Sequence, residues 1–205
     1  IRGNQRVTSQ NPEDTYQALP KNGYTSLVES ILDHPNISLS LETPFNKYME
    51  DNYAHIFNSM AIDEYFDYKY GALPYRSIKF HNVLLPMPKI FDVATVNFTH
   101  DGPFTRVTEW KNLPNHGVSD KYTLLTYEEP CCYTENNHER FYPVKDKNKT
   151  NRKIYETYRS LVPENVSFIG RCGQYVYIDM HQAVASSLSL ADKFIKRQKL
   201  NLNKV

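Results

Sequence analysis

Residues 166–180 read VSFIGRCGQYVYIDM, and the rest of the sequence can be interpreted outward from them. The β-branched and aromatic run from Val166 to Ile169 predicts a strand, and Gly170 and Gly173 then permit positive φ angles or a close backbone approach. Asp179 stands at the N-cap position of a predicted helix, in which apolar residues recur at helical spacing: Met180, Ala183, Val184, Leu188, Ala191 and Phe194. The stretch therefore predicts a strand, a glycine-containing turn and a helix N-terminus, and such an N-terminus favours electron-rich ligands.

The composition is that of an ordinary globular protein. The chain has 205 residues, enough for one domain or one and a half, with 40% hydrophobic and 23% charged residues. Its 24 basic and 23 acidic side chains give a net charge of +1, so the electrostatics do not favour a nucleic-acid partner. Tyrosine is abundant, with 16 copies, and its flat apolar ring with a terminal hydroxyl suits both sugar or phosphate recognition and strand packing.

The cysteines and the hydropathy favour a cytoplasmic protein. Cys131 and Cys132 are adjacent and Cys172 is distant, which is neither a disulfide framework nor a metal-binding spacing. We predict no metal site. The sequence shows no apolar run long enough to span a bilayer and no signal peptide, so a reducing compartment is the simplest expectation.

The order of predicted elements favours an α+β fold, with a mixed, mainly antiparallel sheet and flanking helices. A helix is predicted from Gly23 to just before Pro35, and two more over residues 154–161 and 180–199. Strands are predicted over residues 37–41, 54–60, 79–85, 93–98, 106–110 and 122–127. We divide the chain into a linker or arm (1–15), a sheet-rich domain (16–165), a strand-turn-helix (166–199) and a tail (200–205).

Charged residues offer few candidates for chemistry performed by the protein itself. No nucleophile and base form a recognisable local signature, and Asp63, Glu64 and Asp67 are predicted to line the solvated side of a short helix. Arg106 lies in an alternating strand, where its planar guanidinium can bind a phosphate. The alternative for Arg106 is a surface ion pair with Glu109 or another acid.

Six sequence blocks together resemble the UDP-galactopyranose mutase family. They occur in the family's order between Tyr16 and about Phe194: residues 19–25, 65–71, 73–77, 105–109, 141–144 and 170–180. No glycine-rich dinucleotide fingerprint is present in the sequence, so the chain resembles the C-terminal half of such a Rossmann-like, FAD-dependent mutase.

The resemblance implies a set of substrate-binding residues. Arg106 coincides with the family's arginine that grips the substrate pyrophosphate, and Tyr142 and Tyr177 coincide with two tyrosines whose hydroxyls reach the same group. Tyr16 matches a further tyrosine on the phosphate side. The family also has an arginine shortly upstream of Tyr16, a position for which Arg2 and Arg6 both remain candidates.

The resemblance also implies a cofactor site for FAD, which is reduced in the active form. Gly170, Arg171, Tyr177, Asp179 and Met180 match the turn that covers the flavin, and Arg171 matches an arginine close to the ring. We therefore expect Arg171 and Arg106 to be the catalytic residues. The covalent chemistry belongs to the cofactor, which accounts for the lack of a visible protein nucleophile.

The implied function is part of a flavin-dependent isomerase that interconverts UDP-galactopyranose and UDP-galactofuranose, supplying galactofuranose for a cell-surface polysaccharide. The partners would be UDP-galactose or UDP-galactofuranose and the N-terminal FAD-binding portion, and a homo-oligomer is possible. Alone, residues 1–205 are expected to be inactive. The alternatives are a non-catalytic UDP-sugar-binding module that lacks the FAD half and, less favoured, an unrelated tyrosine-rich interaction domain.

Overall fold

A computed structural model describes residues 18–117 and 119–202, with side chains up to residue 197. Helices α1 and α2 span Gly23–Leu32 and Ile62–Tyr65, α3 spans Thr150–Arg159, α4 spans Gly170–Gly173 and α5 spans Met180–Leu202. The strands are β1 Ile56–Asn58, β2 Tyr75–Leu85, β3 Thr95–Asn97, β4 Arg106–Glu109, β5 Thr123–Cys132, β6 Tyr142–Pro143 and β7 Val166–Phe168. The mixture of helices and a largely antiparallel sheet confirms the α+β prediction.

The main sheet has five antiparallel strands in the order β3-β4-β5-β2-β6. Its longest pairing runs from Arg76 opposite Cys132 to Leu85 opposite Thr123. β2 begins four residues earlier than residue 79, where the prediction placed its start, and β5 extends to Cys132 beyond the predicted end at residue 127. The extra residues at the start of β2 pair with both β5 and β6, and Tyr142 lies in β6.

The two faces of this sheet differ in burial. On one face Tyr75, Ser77, Val107 and Leu125 are almost completely buried. On the other face, which we call the open face, Arg106 pairs with Glu128 and Glu128 pairs with Phe80, while Tyr142 lies opposite Arg76 at the β6 edge. Because directly opposed residues of antiparallel strands point to the same side, and alternate residues of β2 share a side, the open face carries both predicted phosphate ligands, Arg106 on β4 and Tyr142 on β6.

The hydrophobic core lies beneath the buried face and is rich in tyrosine. Tyr158 is fully buried, donates its hydroxyl proton to the Gly71 carbonyl at 2.8 Å and accepts the Tyr70 N–H at 2.8 Å. Its ring stacks on Phe66. The buried members of the cluster are Ala61, Ile62, Leu73, Tyr75, Tyr133, Tyr155, Tyr158 and Tyr175. Five of the 16 tyrosines are therefore core packing residues, and the hydroxyls of Tyr75, Tyr158 and Tyr175 donate to backbone carbonyls.

One prediction about the acidic residues is wrong. Asp63 is fully buried in α2, and its carboxylate accepts the Leu73 N–H at 2.8 Å. Burial raises its pKa, against the opposing effects of this hydrogen bond and of the Arg140 charge. The helical pattern placed Asp63 on the polar side, but the following turn folds back over that side. Glu64 and Asp67 do retain solvent contact, as predicted.

The stretch 166–180 differs in part from its prediction. β7 pairs in parallel with β1, but the glycines then form the one-turn helix α4, and a turn followed by an irregular segment separates it from α5. Gly170 has a φ of +72°, and a Cβ on Gly173 would lie 3.0 Å from the Asn58 carbonyl oxygen. Gly170 therefore meets a backbone requirement, and Gly173 permits α4 to pack closely against β1.

Most of the predicted outer elements are present, with one exception. Helices occur where they were predicted, near residues 23, 154 and 180. Residues 37–41 form no strand, and Ile37, Leu39 and Leu41 are exposed, because this alternating segment has no partner strand within the described residues. On α5, Phe194 packs against His55 and Phe57, whereas Met180, Val184 and Leu188 remain exposed.

Candidate functional site

Arg106 is placed on the open face with part of its guanidinium free. Its Nε lies 3.4 Å from Glu128 Oε2, and 39% of the side chain is exposed. This Nε is buried and makes no hydrogen bond to any described residue, so the contact with Glu128 is an ion pair without hydrogen-bond geometry. A guanidinium held by charge but not saturated by hydrogen bonds retains donors for an anionic ligand.

Glu109 does not form the ion pair with Arg106 that the sequence left open. It is fully buried, and its carboxylate accepts the Ile90 N–H at 3.0 Å, the Phe91 N–H at 2.7 Å and the Thr123 hydroxyl at 2.5 Å. Burial alone would raise its pKa, but these bonds and one from Asn112 together lower it. Glu109 therefore fastens the loop after β2 to the end of β4, and Arg106 pairs with Glu128 instead.

Tyr142 and Tyr177 come from distant segments and lie side by side. Their ring centroids are 5.9 Å apart, with the ring planes nearly perpendicular. Tyr142 lies in the two-residue strand β6, while Tyr177 lies in the irregular segment before α5 and is 53% exposed. Two phenol groups so arranged, with partial exposure, can present hydroxyl donors to one ligand.

Arg171 joins the segments that carry these tyrosines. Its Nη1 donates to the Phe141 carbonyl at 2.7 Å, and its Nε and Nη2 donate to the Ile178 carbonyl at 3.0 and 2.6 Å. The guanidinium carbon lies 4.7 Å from the centroid of the Tyr177 ring. The side chain thus contacts residues adjacent to both tyrosines.

The start of α5 is accessible next to this pair. Asp179 precedes the helix, its N–H donates to Gln182 Oε1 at 2.8 Å, and its carbonyl accepts the Ala183 N–H. Met180 is 64% exposed. The Gln182 contact is the return half of a capping box, so the Gln182 side chain satisfies the N–H of the residue before the helix.

Phe80 and Phe141 form an aromatic contact close to residues of the candidate site. Phe80 is the cross-strand partner of Glu128, and its ring lies 5.9 Å from that of Phe141, the residue before Tyr142. Sequence reasoning did not identify Glu128, Phe80 or Phe141 as parts of the site. The alternation of β2 and β5 was the available signal, but only the register shows which residues face Arg106.

A buried arginine supports β6 from below. Arg140 forms an ion pair with Glu64 at 2.8 Å, and its guanidinium lies over the rings of Tyr75 and Tyr133 at 5.5 and 5.0 Å. After Tyr142 the support comes from Tyr175, whose hydroxyl contacts the carbonyls of Pro74 and Val144. Burial raises the pKa of Tyr175 to about 12. These contacts fix the chain on either side of Tyr142.

Tyr16, Arg2 and Arg6 lie outside the described residues. Within the part of the chain that the structure describes, no three His, Cys, Asp or Glu side chains are close enough to hold a metal ion. Among the helices described here, none combines the length and the apolar character needed to cross a membrane.

The open face thus carries an arginine with free donors and, at its β6 edge, a tyrosine paired with Tyr177, and guanidinium and phenol groups of this kind can donate to an anionic ligand. The family model for UDP-galactopyranose mutase matches residues 6–177. The chain belongs to the UDP-galactopyranose mutase family.

Individual relatives agree with the family match. A probable UDP-galactopyranose mutase of Klebsiella pneumoniae is 33% identical over 88% of this chain and 46% of its own length. A UDP-galactopyranose mutase of Mycoplasma pneumoniae and a dTDP-fucopyranose mutase of Escherichia coli are each 30% identical over 90% of this chain and 50% of their own lengths. The chain therefore spans about half the length of these curated relatives.

Proposed function

We propose that the complete protein is a flavin-dependent mutase that interconverts UDP-galactopyranose and UDP-galactofuranose, and that this chain supplies its sugar-nucleotide side. The observation that carries the proposal is the placement of Arg106 and Tyr142 on one face of the sheet, with the Tyr177 ring 5.9 Å from that of Tyr142, in a chain of the mutase family. In this proposal the sugar product serves a cell-surface polysaccharide and the protein acts in the cytoplasm.

Arg106 would hold the pyrophosphate by charge, and the hydroxyls of Tyr142 and Tyr177 would donate to the same group. Because the departing UDP carries more negative charge than the bound sugar nucleotide, donors that grip it also stabilise it as a leaving group. Tyr16 would contribute a further hydroxyl. Glu128 keeps Arg106 in place without saturating its donors.

Residues 170–180 fit the flavin side of the site. Gly170 has a positive φ, and the exposed N-terminus of α5 favours electron density on a neighbouring ring. Gly170, Tyr177, Asp179 and Met180 would border the cofactor, and Tyr177 would also contact the substrate. A reduced flavin, when bound, supplies the nucleophile that the protein's own side chains do not provide. Residues 166–199 would thus complete the cofactor site next to the sheet-rich domain of residues 16–165.

The phosphate role is tested by replacing Arg106. Arg106→Ala should weaken UDP binding by about 1.5–3 kcal/mol, the range for hydrogen bonds to a charged group. Tyr177→Phe should cost less, about 0.5–1.5 kcal/mol, because one neutral hydroxyl is lost. UDP affinity is measured by fluorescence polarisation on the complete protein. Arg159→Ala is the control, because Arg159 is exposed on α3 and pairs only with Glu156 among the described residues. Equal affinities of Arg106→Ala and wild type would refute the assignment.

Two alternatives remain open to direct test. A non-catalytic module would bind UDP but purify without colour, whereas the mutase should show a flavin absorption band. The 30% identity to a dTDP-fucopyranose mutase makes a thymidine nucleotide the second candidate ligand. Competition between UDP and TDP for the same protein distinguishes these nucleotides, and tighter binding of TDP would reassign the substrate.

A further inference from the structure

Arg171 holds together the two chain segments that carry the paired tyrosines. Phe141, whose carbonyl accepts from Nη1, immediately precedes Tyr142, and Ile178, whose carbonyl accepts from Nε and Nη2, immediately follows Tyr177. One guanidinium therefore bonds the backbone next to each tyrosine, in addition to lying over the Tyr177 ring.

The two segments have few other regular constraints. β6 pairs with β2 at only two positions, and the segment of Tyr177 belongs to no helix or strand. Tyr177 is half exposed, and its ring packs against the Tyr142 ring and the Arg171 guanidinium. The Tyr175 hydroxyl also joins the two segments through the Val144 carbonyl, but Arg171 bonds the residues directly next to both phenol groups and so acts most directly on their spacing.

We propose that Arg171 is a positioning residue, which sets the spacing of the Tyr142 and Tyr177 hydroxyls and thereby the affinity for a nucleoside diphosphate. This inference rests on the proposed function, because it assumes that the two hydroxyls contact the diphosphate. It gives Arg171 an effect on diphosphate binding through the tyrosines, separate from the contact with the cofactor that the family resemblance implies for this residue.

The geometry supports an indirect role. Three of the guanidinium's five N–H groups are already donated to backbone carbonyls at 2.6–3.0 Å. A planar fork can serve acceptors on two sides at once, which a single ammonium on a flexible stem does less well. The shape of the side chain should therefore matter more than its charge, and Arg171→Lys separates the two properties.

The test is a mutant cycle for UDP affinity in the complete protein. Arg171→Lys should weaken UDP binding about tenfold in the wild-type background, because two hydroxyl hydrogen bonds lose their alignment. In the Tyr142→Phe/Tyr177→Phe background the same substitution should change the affinity by less than about twofold, since no hydroxyls remain to be misplaced. Arg159→Lys, an exposed arginine on α3, is the matched control.

Each outcome decides the inference. Equal weakening in both backgrounds would show that Arg171 acts directly on the ligand, and retained affinity in Arg171→Lys would show that charge alone suffices. Either result overturns the proposal. If the lysine variant fails to fold, Arg171→Gln replaces it in the same cycle with the same expectations.

A second measurement separates this inference from the proposed function. If the wild-type protein binds no UDP, the proposed function fails, and the positioning role is then read from a crystal structure of the Arg171→Lys protein. Tyr142 and Tyr177 rings that move away from their 5.9 Å separation support the role of Arg171. Rings that stay in place refute it.

Discussion

Glu109 should be the most sensitive acidic position for the local stability of the sheet. It is fully buried, and four donor groups point to its two oxygens, two of them the fixed backbone N–H groups of Ile90 and Phe91. Glu109→Gln keeps the shape but replaces one acceptor oxygen with an NH₂ group. The Thr123 hydroxyl can reverse its role and accept from that group, whereas a backbone N–H cannot.

The expected cost follows from this inventory. In the best arrangement the new amide nitrogen faces Thr123, and the remaining side-chain oxygen takes the place of Glu109 Oε2. The Phe91 N–H keeps this acceptor, and the Ile90 N–H, which lies 3.3 Å from Oε2 in the wild type, can bond to the same oxygen. What is lost is the charge assistance of these bonds, about 2 kcal/mol in total. That free energy corresponds to a roughly thirtyfold increase in the local opening constant.

Hydrogen exchange over residues 86–94 measures this opening directly. Glu109→Gln should accelerate exchange of the Ile90 and Phe91 amides about thirtyfold, whereas Glu156→Gln, at an exposed ion pair on α3, should change it less than threefold. Exchange within threefold of wild type in Glu109→Gln would refute the reasoning.

The pH dependence gives an independent check. Because folding lowers the pKa of Glu109, its stabilising contribution is complete above the ordinary value of 4.5 and is lost as the pH falls through the lower, folded value. The stabilities of wild type and Glu109→Gln should therefore converge as the pH is lowered from 7 toward 3. A difference that widens in acid would contradict this sign.

Three further outcomes are expected. Asp63→Asn should lower the free energy of unfolding by less than about 1 kcal/mol at pH 7, measured in urea, because the acceptor for Leu73 N–H is kept. Burial raises the Asp63 pKa, so the stability of the variant relative to wild type should increase as the pH rises above 3.8. A relative decrease would contradict this sign. Gly173→Ala should lower stability by about 1–3 kcal/mol in thermal unfolding, as its Cβ would meet the Asn58 carbonyl, and an unchanged midpoint would contradict the packing. Residues 1–205 expressed alone should hold no flavin, because one helix N-terminus cannot offset the cost of ordering so large a ligand; a near-equimolar flavin band in the visible spectrum would refute this.

The sequence by itself determined the elements with strong local signals. Helical periodicity predicted α1, α3 and α5, and β-branched alternation predicted most strands, because these patterns reflect side-chain spacing along a single element. The six family blocks also sufficed to identify the mutase family, which the family match confirms. Arg106, Tyr142 and Tyr177 came from those blocks, and their ligand roles remain predictions.

Only the tertiary structure decided which residues meet, because contacts between distant segments have no signature along the chain. The helical pattern predicted a solvated Asp63, but the turn at Leu73 covers this side chain. The sequence allowed Glu109 as a partner for Arg106, but strand alternation directs Glu109 to the buried face. The pairing of Arg106 with Glu128 follows from the register of β4 and β5, and the bridging position of Arg171 follows from the return of β6 to the sheet edge.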